Sequence, residues 1–129
     1  MKAENIKFKA KRLDNKEWVE GDLKHSTSYV GIGYPSSAFP DVPIVHRVNP
    51  SSVCMFTGMR DCKGKEIFEH DLIHFVGHKP IGEVIWSEED YAFMVAASEN
   101  EPLYLLPHVL KIGKIERVGN KFDRKEGEK

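Results

Sequence analysis

No apolar run in this chain of 129 residues approaches the roughly 20 that a membrane-spanning helix needs. The opening MKAENIKFKAK lacks an apolar core and a small-residue cleavage site, so it does not read as a signal peptide. Cysteine is scarce. Cys54 and Cys62 are too few for a disulfide framework, and the expected location is the cytoplasm. Charge of one sign is also lacking: 19 Lys/Arg stand against 20 Asp/Glu, which excludes a basic footprint over the whole surface for nucleic acid. There is no P-loop, nucleophile elbow or zinc pattern. Gly31-Ile32-Gly33 is followed by Tyr34-Pro35 rather than a helix, so it fails the structural test of a dinucleotide fingerprint. No stretch repeats its apolar residues at helical spacing.

Short apolar alternations between turns are what is there. At 40% hydrophobic and 30% charged residues, the chain is of the ordinary soluble globular kind. Residues 1–25 hold seven Lys/Arg against five Asp/Glu, residues 26–110 five against eleven, and residues 111–129 seven against four. The ends are thus mildly basic and the middle acidic. Ile6–Leu13 alternates apolar residues with Lys7, Lys9 and Lys11, as a strand with one wet face does. Glu17–His25, Tyr29–Ile32, Val42–Val48, Val53–Thr57, Leu72–Val76, Ile81–Trp86, Tyr91–Val95, Leu103–Leu106 and Ile112–Val118 read as further strands. GHKP and Ala97–Pro102 are among the turns between them. Pro107–Leu110 reads as a single 3₁₀ turn.

About ten short strands predict an all-β fold of several short coiled sheets with little helix. Five of them follow Asp71 within about 50 residues, the size of a small SH3-like barrel. The expected organisation is an N-terminal β-hairpin region over 1–52, an SH3-like barrel region over 53–118, and a charged, frayed tail over 119–129. Together they form one compact domain. Phe75, Val84 and Trp86 are expected to bury in the barrel.

One word occurs twice. KEWVEGDL (Lys16–Leu23) returns as KEIFEHDL (Lys65–Leu72), with five of eight positions identical. It is either a reused local device or a duplicated β-unit, and in both cases it concerns how strands start. Asp71, and more weakly Asp22, is expected to accept backbone N–H groups that the bend leaves unpaired.

The stretches KFKAKRLDNKEWVEGDL and FTGMRDCKGKEIFEHDLIHF resemble the YopX family of phage and prophage proteins. That family shows an "ncEWVyG"-like strand and later a "YTGLKDKNGKEIYEGDIV"-like segment. Phe56-Thr57-Gly58, Asp61, Gly64-Lys65-Glu66-Ile67, Glu69 and Asp71 match position by position. Gly82-Glu83-Val84 and Ile112-Gly113-Lys114-Ile115 match later motifs in order. His70 stands where the family usually has Gly, and Lys114 replaces its usual Asn. The resemblance covers about residues 6–116. It implies an all-β arrangement of coiled sheets with an SH3-like barrel, and it implies no activity.

Candidate chemistry is sparse. His70, His74 and His78 recur every four residues and are the metal candidates. Along a strand, however, that spacing spans about 13 Å, too far for two imidazoles to share one ion. Glu69 and Asp71 could form an acid/base couple, but capping explains them at a turn. Lys7, Lys9 and Lys11 would set ammoniums roughly 7 Å apart, near the spacing of successive phosphates. The same stripe also serves as a guard against edge pairing, and the acidic middle favours the guard. Gly58, Asp61, Gly64, Glu69 and Asp71 form the structural motif. The expectation is a non-catalytic β-rich interaction module without cofactor. Its expected partner is a host or phage protein or a second copy of itself, not a membrane. Nucleic-acid binding through Lys7, Lys9 and Lys11 is the alternative.

Overall fold

The structure, a computed structural model, describes residues 2–77, 82–97 and 104–123. His78, the tip of the GHKP turn, Leu103 and most of Ala97–Pro102 lie outside them, as do residues 124–129 of the tail. The chain divides into two compact units, Met1–Phe56 and Thr57–Lys129.

The first unit is a meander of β1 (Phe8–Lys11), β2 (Trp18–His25), β3 (Val30–Pro35) and β4 (Pro43–Arg47), with the start of β5 (Cys54–Arg60) added beside β1. The alternation in Ile6–Leu13 is realised over β1. Ala10 is fully buried and packs with Ile32 and Val48, while Ile6 lies outside the strand and is exposed. β1 is not an edge. It pairs with β2 from Phe8↔Gly21 to Lys11↔Trp18 and with β5 through Phe8↔Met55. The lysines therefore guard no edge, which corrects that reading of the stripe. The sheet also curls. Arg12 bridges Val48, Leu13 N–H donates to Arg47 O at 3.0 Å, and Asn49 N–H donates to Lys11 O at 2.9 Å.

In the second unit the rest of β5 pairs with β6 (Glu66–Phe68). There follow β7 (Asp71–Phe75), β8 (Gly82–Ser87), β9 (Ala92–Ala96), β10 (Tyr104–Leu105), α1 (Leu106–Ile112) and β11 (Ile115–Asn120). The five-stranded antiparallel sheet runs β10-β9-β8-β7-β11. Its core is Ile67, Ile73, Val84, Val95, Leu106, Val109 and Ile115. The protein is thus mostly β, with two antiparallel sheets, and no closed barrel is found among the described residues.

Three expectations need correction. Pro107–Leu110 belongs to a two-turn α-helix, and the strand read from Ile112 starts at Ile115. Pro107 sits in the first turn, where a missing N–H costs nothing, and Leu106, Val109 and Leu110 face the core at helical spacing. Burying Leu106 and Val109 stabilises the fold by about 1.5–3 kcal/mol each. Trp86 is the second. Val84 is fully buried and Phe75 half-buried, but Trp86 is 39% exposed. Trp86 is two residues beyond Val84 towards the hairpin tip, where the core has ended, and its ring meets Phe93 edge-on at 5.1 Å.

The third concerns the repeated word. In KEWVEGDL, β2 runs straight through Gly21 and Asp22. In KEIFEHDL the chain makes β6, turns at Glu69-His70, and starts β7 at Asp71. Only the second copy begins a strand at its Asp. Gly21 is required for space, since a Cβ there would lie 2.2 Å from Gly33 O. His70, not a glycine, takes the left-handed backbone at φ 70.

Candidate functional site

The family motif converges on β11. Asp61 is buried at the end of β5. Its Oδ1 accepts the N–H groups of Lys63 and Lys65, both at 2.9 Å, and its Oδ2 accepts Arg117 N–H at 2.8 Å. Burial opposes ionisation of this carboxyl. The three N–H donors, from Arg117, Lys65 and Lys63, together with the Lys65 charge, outweigh it and hold the pKa below the usual carboxylate value. Gly64 turns the loop at φ 82, where any side chain would be strained. Gly58 has the same φ within β5. Beside it Thr57 Oγ1 donates to Ile67 O at 2.7 Å and accepts Met59 N–H at 3.1 Å. Cys62 N–H donates to Ile115 O at 2.9 Å.

Asp71 is fully buried. Its Oδ2 accepts Phe68 N–H at 2.7 Å, across the Glu69-His70 turn, as a cap at a bend should. Its Oδ1 accepts Asn120 Nδ2–H at 2.8 Å. Arg117 Nε lies 3.0 Å from Oδ2, but its N–H finds no aligned acceptor, so the contact is an ion pair rather than a hydrogen bond. Asp61 and Asp71 therefore grip the same strand, one through the Arg117 backbone and one through its side chain. Arg117 and Asn120 were not legible from sequence. No local pattern marks either one.

Asp22 does not share this role. It is exposed within β2, opposite Gly33, with no bend to cap. Glu69 and Asp71 do not form a couple. Asp71 reaches towards β11, while the Glu69 carboxylate lies 3.8 Å from His70 Nε2.

The histidines diverge as well. His70 Nδ1 lies 2.8 Å from Glu83 Oε2, and its ring meets Phe122 edge-on at 5.3 Å. His74 Nε2 lies 3.3 Å from Glu116 Oε1 on β11. Glu116 also pairs with Lys63. These contacts, Lys63 first and His74 second, lower the Glu116 pKa. Among the described residues no group of three or more His, Cys, Asp or Glu side chains is placed to hold a metal ion.

The lysine stripe is turned onto its own unit. Lys7 pairs with Glu20 at 3.1 Å and lies 4.9 Å from the Phe56 ring. Lys9 and Lys11 each stand 4.5 Å from the Trp18 ring. Such cation–π contacts are worth about 0.5–1 kcal/mol at exposed sites. Cys54 is buried and its thiol approaches Ser52 O at 3.3 Å, while Cys62 is exposed.

One recess of about 180 Å³ opens in the second unit. Its walls include Ile73, Phe75, Val95, Tyr104, Val109 and Ile115. Its walls among the described residues are mainly apolar, with His74 beside them. No helix among the described residues is long and apolar enough to cross a membrane.

No curated protein matches the sequence. A family model described as YopX protein matches residues 2–126, nearly the whole chain, and so takes in both units and every residue of the Asp61–Asp71–Arg117–Asn120 cluster. The chain belongs to the YopX family.

Proposed function

We propose that this chain is a non-catalytic, β-rich interaction module, an accessory protein of phage or prophage origin acting in the cytoplasm of its bacterial host. The observation that carries the reading is the engagement of the motif carboxylates. Asp61 and Asp71 are buried and hydrogen-bonded to backbone and to β11, so neither is poised to move a proton to or from a ligand. Exposed apolar side chains remain on both units, Phe39 and Val42 on one, Tyr91 and Ile112 on the other. We also read the second unit as an SH3-like barrel. Four meandering strands whose fifth returns beside the first support this, because such a return is how a small sheet closes on itself.

Capture from bacterial lysate on the tagged chain, with and without nuclease, tests the function. The expected result is one protein partner enriched regardless of nuclease, or self-association seen by sedimentation. Enrichment that is sequence-blind and abolished by nuclease overturns it in favour of nucleic-acid binding through Lys7, Lys9 and Lys11. Their contacts with Glu20, Phe56 and Trp18 argue against that outcome.

A further inference from the structure

We propose that the tip of the β8–β9 hairpin is an aromatic docking surface for a partner segment that carries lysine or arginine, an inference that rests on the interaction-module reading. Among the described residues, three that are not glycine have positive φ: Lys16 at 61, His70 at 70 and Tyr91 at 51. The first two have local explanations. Lys16 N–H donates to Arg12 O at 3.0 Å in a turn, and the His70 ring is held by Glu83 and Phe122. Tyr91 has none. A bulky side chain in the left-handed region is strained, and glycine or asparagine would fit at lower cost. Yet Tyr91 is 77% exposed and gains little burial in return. Stability does not account for a tyrosine here, whereas recognition does.

The surroundings fit that role. Trp86, itself 39% exposed, lies one step inside the Ser87↔Ala92 pair, and Tyr91 lies one step beyond it. Phe93 buttresses Trp86 at 5.1 Å. The tip is held by Ser87 Oγ, which donates to Asp90 Oδ2 at 2.9 Å and accepts Asp90 N–H at 3.2 Å. Ordered in advance, it loses little conformational freedom on binding. Tyrosine and tryptophan are the residues most enriched at the energetic centres of interfaces.

Charge selects the occupant. Residues 86–91 contain three carboxylates and no cation. Glu88 and Glu89 are exposed and have no partner among the described residues. Indole and phenol faces attract cations, and the flanking carboxylates reinforce them. An acidic or neutral segment finds no such complement.

A random dodecapeptide library selected on the full chain, followed by calorimetric titration of the most enriched peptides, tests the inference. The expected peptides contain Lys or Arg, and their affinity falls as salt rises from about 50 to 500 mM. Tyr91→Gly and the double variant Glu88→Gln/Glu89→Gln should each weaken binding about tenfold. Glycine adopts the Tyr91 backbone freely, so Tyr91→Gly should melt no lower than the parent chain, which separates lost recognition from lost fold. Enriched peptides without cationic residues overturn the proposal, as does a failure to enrich any. Unchanged affinity in both variants also overturns it, while leaving an interaction module whose surface lies elsewhere.

Discussion

Asn120 Nδ2 stands 2.8 Å from Asp71 Oδ1, across 49 positions of chain, and neither side chain is open to water. With Arg117 and the Phe68 N–H, the pair fixes the last strand of the sheet to the turn that starts β7. Removing one member of such a buried charged set leaves the others desolvated and unpaired. Asp71→Ala should therefore cost about 3–5 kcal/mol. Asp71→Asn keeps one acceptor but loses the charge facing Arg117, and should cost about 1–3 kcal/mol. Asp22→Ala should stay within about 0.5 kcal/mol. Denaturant midpoints of the three variants check the ranking. Equal midpoints for Asp71→Ala and Asp22→Ala would refute the keystone role.

Acid should act through Asp61. Its folded pKa is depressed, so the stabilisation is fully present above the unfolded carboxylate pKa and is lost as pH falls through the folded value. The window lies below about pH 4. In that range the parent chain should lose stability more steeply than Asp61→Asn, although the variant is less stable at neutral pH. Urea midpoints between pH 2 and 7 measure this, and parallel profiles would contradict it.

His70 separates strain from contact. Alanine removes the Glu83 and Phe122 contacts and keeps the backbone cost, whereas glycine removes both. His70→Gly should be more stable than His70→Ala by about 1 kcal/mol. Thermal melts of the two variants decide the matter, and an alanine variant at least as stable would show that position 70 bears no strain.

Gly21 should resist substitution for a different reason. Its added Cβ would strike the Gly33 carbonyl, which is backbone within a paired strand and cannot rotate away. Gly21→Ala should cost about 1–3 kcal/mol. Amide exchange along β2 and β3 should accelerate, and unchanged protection there would count against the close approach.

The sequence carried the strands whose two faces differ. Lys7–Lys11 alternates charged and apolar residues, and β1 lies there. Asp71 was legible because a carboxylate beside a turn has few other uses. Arg117 and Asn120 were not, because their partners are distant in sequence and nothing local marks them as buried. β6 escaped because three residues carry too little pattern. α1 escaped because Pro107 suggests a break until it is known to lie in a first turn. Trp86 misled because hydrophobicity fixes a preference for burial but not where a core ends.

The loop that holds Asp61 has one more consequence. Among the described residues β11 pairs only with β7, and its other side presents Ile115 O and Arg117 N–H, which Cys62 and Asp61 occupy. A side chain there completes a ladder that would otherwise invite a foreign strand. Asp61 thus gives an edge strand a cover made by the chain's own loop, with a carboxylate where a neighbouring strand's carbonyl would stand.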